Sequence, residues 1–186
     1  IRDSIEMWKG IMQSYYVDSY QKQGIMFEAT GLAPCVGVAS LPFFGHKQKA
    51  LISKYKNIVN IGILISDSSK GRVRLGLGGR PLISYRLNQE DFLKTIKGIR
   101  IGAEILFAAG AQQVFTGIRP FPVLESKDEI EKISQKNVQK TDLDYMAFHP
   151  MGTCRMGDDP KKSVVNQYLE SHQIKNLFIS DASIFP

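Results

Sequence analysis

The order of the predicted strands and helices is the feature that most constrains the fold of this chain. Strand-like segments, which are rich in β-branched and aromatic residues or alternate in polarity, lie at 11–20, 25–28, 58–66, 72–75 and 82–87. Only short turn-forming segments separate the last three. Because tight turns join antiparallel strands, whereas parallel strands need long crossovers, we expect these three strands to form an antiparallel meander.

One long amphipathic helix is predicted from Gln89 to Ala109. Asn88 is a favourable N-cap, and Gly110 is typical of a residue that ends a helix. The apolar side chains fall on one stripe, formed by Phe92, Ile96, Ile99, Ala103, Leu106 and Phe107. Shorter elements are also predicted, namely helices over 46–56 and 126–135 and a loop over 31–42. The sequence therefore predicts an α+β fold, an antiparallel β-sheet with helices on one face.

The composition indicates one globular domain with an apolar core. The chain has 186 residues, of which 43% are hydrophobic and 23% are charged. Its longest apolar run, 58–65, is too short for a transmembrane segment. Cys35 and Cys154 provide neither a disulfide framework nor the spacing of a zinc site. No metal site is therefore predicted, and a cytoplasmic location is the default expectation.

The net charge of +6 raises the hypothesis of a nucleic-acid-binding domain. The basic residues are scattered along the chain, and acids such as Asp128, Glu129 and Glu131 interrupt them. Nucleic-acid-binding domains instead cluster cations with aromatic residues on one face. The charge therefore indicates a solvated surface, and no nucleic-acid partner is predicted.

The strongest chemical signal is the segment His149–Gly157, with the sequence His-Pro-Met-Gly-Thr-Cys-Arg-Met-Gly. Pro150 restrains the backbone before it to an extended conformation, and Gly152 permits a close turn. Such a segment can present an imidazole to a cleft, and imidazoles, which ordinarily titrate at about pH 6.5, suit proton acceptance at neutral pH. From these local features alone, a structural and a catalytic histidine both remain open. Structural roles are expected for His46, His172, Cys154 and Arg155.

A second chemical signal follows near the end of the chain. Leu177–Ser180 is predicted to be a short buried strand that ends at Asp181-Ala182-Ser183. Such a strand end can bring a carboxylate and backbone amides to a polar ligand, or it can be only a polar strand end. The glycine-rich segment Gly76–Gly79 lacks the spacing of a dinucleotide-binding loop and leads into another strand, so it is not predicted to bind a nucleotide.

Together, these two signals resemble the C-terminal signature of the glucose-methanol-choline (GMC) family of flavin-dependent alcohol oxidoreductases. The resemblance is tight over Tyr145–Pro186 and looser over Trp8–Val114. It implies an antiparallel substrate domain placed over the flavin, with FAD as the cofactor. It also implies that His149 is catalytic, as the general base or as a hydrogen-bond partner of the substrate hydroxyl, while hydride passes to the flavin. Asp181 and Ala182 would contact the ribityl-phosphate part of FAD.

The resemblance further predicts how the chain is divided. Residues 1–144 would form a substrate-binding α+β domain, and residues 145–186 a C-terminal segment that returns to the flavin domain. The Rossmann part that makes most FAD contacts, and a second catalytic residue, are expected outside this chain, so the chain alone should be inactive. The leading hypothesis is the C-terminal portion of an FAD-dependent alcohol dehydrogenase or oxidase. The alternative is a non-catalytic remnant, or a separate subunit that completes another chain's flavin site.

The substrate implied by the resemblance is a small-molecule alcohol. Tyr15, Tyr16 and Phe27 add aromatic surface to the first part of the chain, and no acidic residues cluster there. These two observations favour an apolar alcohol over a cationic one.

Overall fold

The computed structural model describes residues 1 and 3–185 and shows an α+β fold in which all ladders between strands are antiparallel. The strands are β1 (Gln13–Val17), β2 (Ile25–Thr30), β3 (Asn60–Ile65), β4 (Gly71–Leu75), β5 (Pro81–Tyr85), β6 (Val114–Phe115) and β7 (Val123–Leu124). The α-helices are α1 (Pro34–Ala39), α2 (Gly45–Ile52) and α3 (Gln89–Ala108). The predicted fold class is confirmed.

The main sheet has the strand order β1-β2-β3, and α3 packs on one of its faces. β2 pairs with β3 so that Phe27 lies opposite Ile63 and Ile25 lies opposite Ile65. Successive strand residues point to opposite faces, so these four side chains share the face toward α3. Ile25 and Phe27 are buried. β2 and β3 therefore supply an apolar layer beneath the helix.

Two glycines let α3 approach this apolar layer closely. A Cβ atom placed on Gly98 would lie 2.8 Å from Cγ2 of Ile63, and one on Gly102 would lie 3.2 Å from Cδ1 of the same residue. Glycines four residues apart lie on the same side of a helix. The sheet thus packs against helix backbone at these positions, where a side chain would meet the β3 isoleucine.

Replacing Gly98 by valine is expected to lower the free energy of unfolding by about 2–3 kcal/mol, because overpacking a tight contact outweighs the gain in helix propensity. The matched control is Glu104→Val, at an exposed position of the same helix. That control should cost less than about 1 kcal/mol. Urea unfolding followed by far-UV circular dichroism compares the two. Equal losses for both variants would contradict the close packing of α3 on β3.

The predicted boundaries and apolar stripe of α3 are confirmed. The Asn88 side chain accepts a hydrogen bond from the Asp91 amide at 2.8 Å, as an N-cap does. Gly110, with φ of 87°, lies in the left-handed conformation just after the helix. The stripe packs with apolar residues that follow the helix in sequence, namely Val114, Ile118, Leu124, Ile130, Ile133, Val138 and Leu143.

The predicted meander is wrong, because β3 pairs with β2, and β4 and β5 form a separate two-stranded hairpin. The chain that leaves β3 is bound by the start of α3. The amide of Ser68 donates to the Asp91 carboxylate at 2.9 Å, and the Asn88 amide donates to Oγ of Ser69 at 2.9 Å. These bonds hold the chain after β3 against the helix N-terminus, and the next strand, β4, pairs only with β5 among the described residues.

Three shorter predictions are also wrong. The predicted loop contains α1, which Pro34 begins from a favourable first helical position. The predicted helix over 126–135 is reduced to a 3-10 turn, Lys127–Lys132. The three-residue period of such a turn brings Ile130 and Ile133, both buried, to the same side. The predicted buried strand at 177–180 is exposed, and within the described residues it forms only the isolated bridge Glu170↔Phe178.

The chain divides into two compact units. The first comprises Ile1–Ser69 and Leu87–Asp144. The second comprises Lys70–Arg86, which contains the β4–β5 hairpin, and Tyr145–Pro186, of which Pro186 lies outside the described residues. Among the described residues of the second unit, Val165 is the one buried large apolar side chain. Backbone hydrogen bonds therefore supply most of the order in the second unit.

Candidate active site

His149 lies in an exposed, irregular part of the second unit. Its neighbours Phe148 and Met151 are 75% and 57% exposed, so the surrounding surface is apolar. Among the described residues, the imidazole makes no hydrogen bond and no ion pair. The ring nitrogens are therefore available to a ligand that approaches this surface.

The structure joins the two signature segments through backbone hydrogen bonds. The amide of Cys154 donates to the Ser183 carbonyl at 2.9 Å, and the amide of Met156 donates to the Ile184 carbonyl at 2.8 Å. The two acceptor carbonyls belong to adjacent residues, so these are two local hydrogen bonds and not a strand ladder. The segment that carries His149 is thus bound to the turn that follows Asp181. Sequence reasoning singled out both segments but did not predict this pairing.

Gly152 allows this approach. Its φ is 79°, in the left-handed region, and a Cβ atom there would lie 3.3 Å from the Phe185 carbonyl oxygen. The predicted close turn at Gly152 is therefore present, and it lies against the end of the second signature segment.

Asp181 caps the 3-10 turn Ala182–Ile184. Its side chain accepts a hydrogen bond from the Ser183 amide at 2.8 Å, and its carboxylate is exposed. Hydrogen bonding to Ser183, through the side chain and then the backbone amide, lowers the pKa of the Asp181 carboxyl below its ordinary value. The group is therefore an anionic acceptor at neutral pH, with lone pairs left for a second donor.

Ala182 adds a backbone donor beside this carboxylate. It is the first residue of the turn, so its N–H has no partner within the turn, and none is formed elsewhere among the described residues. An exposed acceptor next to an exposed donor suits a hydroxyl-rich group such as the ribityl chain of a flavin. Asp181 and Ala182 therefore offer an acceptor and a donor of the kind that such a group would bind.

His172 and Ser163 form a polar cluster that sequence reasoning did not connect with the site. Nε2 of His172 lies 2.9 Å from the Gly157 carbonyl oxygen and 3.0 Å from Oγ of Ser163. The structural role predicted for His172 is confirmed. No local pattern predicts the contact, since fifteen residues separate the histidine from Gly157.

The other sequence candidates are distributed as follows. Cys154 is half-buried, as expected for a packing residue. The Arg155 guanidinium makes no hydrogen bond among the described residues, and the Arg155 carbonyl accepts from the Val164 amide at 2.9 Å. His46 is exposed on α2.

The aromatic residues predicted to favour an apolar substrate differ in accessibility. Tyr15 and Tyr16 are exposed on β1. Phe27 is 3% exposed and contacts the Tyr20 ring edge-to-face at 6.1 Å, so it belongs to the core and cannot touch substrate. The prediction for Phe27 is wrong, because the alternation of β2 turns it toward α3.

Neither a metal cluster nor a membrane-spanning helix is found among the described residues. They contain no cluster of three or more His, Cys, Asp or Glu side chains placed to hold a metal ion. None of their helices has both the length and the apolarity to cross a membrane.

A family model described as GMC oxidoreductase matches residues 67–186. The chain belongs to the GMC oxidoreductase family. The match includes both signature segments, the β4–β5 hairpin and α3. The resemblance inferred from His149–Gly157 and 176–186 is thereby confirmed at the level of the family.

Three relatives are similar to this GMC chain over part of their own length. An uncharacterised GMC-type oxidoreductase of Mycobacterium tuberculosis is 28% identical over 99% of the chain and 29% of its own length. A long-chain-alcohol oxidase of Arabidopsis thaliana is 27% identical over 87% of the chain and 23% of its own length. An alcohol dehydrogenase (acceptor) of Pseudomonas putida is 37% identical over 63% of the chain and 21% of its own length. The chain thus spans less than a third of each relative.

Proposed function

We propose that this GMC chain is the C-terminal, substrate-domain part of an FAD-dependent alcohol oxidoreductase. The reaction is transfer of a hydride from an alcohol CH–OH group to the flavin. The observation that carries this proposal is the hydrogen-bonded pairing of the His149 segment with the Asp181–Phe185 turn. The imidazole thereby belongs to the same hydrogen-bonded part of the unit as the Asp181 carboxylate and the Ala182 amide, which suit the ribityl chain of a flavin. The named alcohol oxidase and alcohol dehydrogenase relatives support the same class of reaction.

In this proposal, His149 handles the hydroxyl proton. A hydride leaves an alcohol carbon readily only when the hydroxyl proton is lost or nearly lost, and a neutral imidazole can accept that proton. The exposed position of His149, without an internal partner, leaves a ring nitrogen free for this contact. FAD, when bound, supplies the hydride acceptor. The protein then contributes orientation and proton acceptance.

Asp181 and Ala182 are proposed to contact the cofactor's ribityl-phosphate portion. The carboxylate accepts hydroxyl hydrogens, and the amide of Ala182 donates. The pyrophosphate needs a different structure, a glycine-rich turn at a helix N-terminus. Gly76–Gly79 does not provide it, because this segment connects β4 to β5 in a hairpin. Most cofactor contacts are therefore assigned to a flavin-binding part outside this chain.

The exposed apolar surface of the second unit supports such a partner. Apolar side chains are exposed on the hairpin and on the signature region, including Leu75, Leu77, Ile83, Phe148, Tyr168 and Phe178. Many exposed large apolar side chains on one small unit are typical of a surface that another domain covers. A two-stranded hairpin exposed on both faces is also marginal by itself. We assign this surface to contact with the flavin-binding part.

The substrate is proposed to be an apolar alcohol. Phe148 and Met151, exposed beside His149, offer apolar surface for such an alcohol, and Tyr15 and Tyr16 are 80% and 67% exposed on β1 of the first unit. Several relatives are named long-chain-alcohol oxidases. A cytoplasmic location stays a prediction.

The test compares the chain alone with the full-length protein in anaerobic mixing with alcohols of increasing chain length. We expect the purified chain to be colourless, because the pyrophosphate-binding turn is outside it, and the full-length protein to be yellow and bleached by alcohol. Visible flavin absorbance measures both. A chain that binds flavin stoichiometrically would contradict the assignment of cofactor contacts. A yellow full-length protein that no alcohol bleaches would favour the non-catalytic alternative.

A further inference from the structure

His172 binds the last residue of the segment that carries His149. Its ring nitrogen Nε2 lies 2.9 Å from the carbonyl oxygen of Gly157. The backbone amide of His172 donates to the Val164 carbonyl at 3.1 Å, which holds the backbone from which the ring extends. The side chain thus connects two stretches of the second unit that are far apart in sequence.

The chemistry of the contact determines the protonation of this nitrogen. A carbonyl oxygen can only accept, so Nε2 must carry a hydrogen to bond Gly157. The Ser163 hydroxyl, 3.0 Å from Nε2, then accepts from the same N–H. Its own hydrogen is directed to a carbonyl, with Gly157 at 2.9 Å and Asp159 at 2.6 Å. His172 is therefore a donor whether or not the second ring nitrogen is protonated.

Gly157 is a junction in the backbone of the candidate site. Its amide donates to the Val165 carbonyl at 3.0 Å, while the preceding residue, Met156, donates to Ile184 at 2.8 Å. Its carbonyl is held by His172 and Ser163. Because Val165 is the one buried large apolar side chain among the described residues of this unit, apolar packing contributes little to the position of the segment. Hydrogen bonds supply it instead, those of Gly157 together with those of Cys154 and Met156.

We propose that His172 is a positioning residue for the reaction. Its Nε2–H holds the Gly157 carbonyl and thereby fixes the segment His149–Gly157 against the turn after Asp181, so that the His149 imidazole keeps one orientation. This role rests on the proposed function of His149. It assigns His172 no contact with substrate or cofactor.

The test uses two polar replacements of matched chemistry in the flavin-containing full-length protein. In His172→Gln, the amide nitrogen reaches about as far as Nε2 and can still donate to Gly157. In His172→Asn, the side chain is too short for its amide nitrogen to reach the Gly157 carbonyl. We expect His172→Asn to slow flavin reduction by alcohol by roughly 10- to 50-fold with little change in KM, because misplacement of the His149 imidazole lowers the rate rather than substrate binding. We expect His172→Gln to stay within about 3-fold of the parent.

Hydrogen–deuterium exchange provides a readout that is independent of activity. The amides of Cys154, Met156 and Gly157 are expected to exchange faster in His172→Asn and at the parental rate in His172→Gln. Equal reduction rates and equal exchange in the two variants, whether fast or slow, would overturn the positioning role. If His149→Ala itself leaves the reduction rate unchanged, the proposed function fails, and the exchange comparison still decides whether His172 holds the segment.

Discussion

Replacing His149 by alanine in the flavin-containing full-length protein is expected to slow flavin reduction by alcohol by about 10²–10⁴-fold, the range typical for loss of a general base. The physical reason is that the hydroxyl proton then has no acceptor as the hydride leaves. The exposed imidazole has no structural hydrogen bond among the described residues, so its removal should leave the fold intact. Anaerobic stopped-flow absorbance measures the rate.

Two control variants separate catalysis from cofactor binding. His46→Ala removes another exposed histidine, from α2, and its flavin should be reduced by alcohol at the parental rate. Asp181→Ala should show the opposite pattern to His149→Ala: weaker retention of FAD, with a smaller effect on the rate of the holoenzyme that remains. A His149 variant that reduces as fast as the parent would show that the motif is only a structural turn.

Replacing Asp91 by alanine is expected to lower the free energy of unfolding by about 2–4 kcal/mol, because it leaves several donors without an acceptor. Asp91 is fully buried, and its Oδ2 accepts from the amide of Ser68 at 2.9 Å and from the amide of Ser69 at 2.7 Å, as well as from the Ser69 hydroxyl. Lys94 Nζ lies 3.6 Å from Oδ1. These bonds tie the end of β3 to the start of α3. Urea unfolding of the chain at low concentration measures the loss.

The matched control is Glu90→Ala, next to Asp91 on an exposed part of α3, which should cost less than about 1 kcal/mol. Asp91→Asn keeps one acceptor oxygen for the amides of Ser68 and Ser69 and replaces the other oxygen, with its charge, by an NH2 group, so its loss should fall between the other two. Equal stability of Asp91→Ala and Glu90→Ala would contradict the buried network.

The same carboxylate predicts a dependence of stability on pH. Burial alone would raise the pKa of Asp91, but hydrogen bonds from the Ser69 side chain and from the amides of Ser69 and Ser68, together with the charge of Lys94, bring it below its ordinary value. A lowered pKa in the folded state stabilises the fold above the unfolded value of about 3.9. This stabilisation is lost as the pH falls from about 4 through the folded pKa, and Asp91→Asn should lack it.

Local sequence determined the elements whose stabilising interactions are close in the chain. α3 follows from a cap at Asn88, a stop at Gly110 and an apolar period between them, all within about twenty residues. The strands β2 and β3 follow from runs of β-branched and aromatic residues. The family was also recognisable, because the segments around His149 and Asp181 carry it as linear sequence.

Tertiary structure decided which of these elements meet. β3 pairs with β2 and not with β4. The loop that follows β3 is bound by Asp91 and Asn88, through contacts between residues 19 to 23 positions apart that no periodicity encodes. Phe27 and Leu177 are both apolar, yet one is buried under α3 and the other is exposed, since burial depends on a neighbour that hydrophobicity alone does not supply.

The features of the candidate site likewise come partly from the sequence and partly from the tertiary structure. The residue types at His149 and Asp181, and the freedom of Gly152 to turn, belong to the sequence itself. The hydrogen bonds from Cys154 and Met156 to the turn after Asp181, and the bond from His172 to Gly157, are long-range and exist only in the folded unit. Backbone amides and carbonyls are the same in every residue except proline, which lacks the N–H, so their pairing across the chain is set by the fold and not by the local sequence.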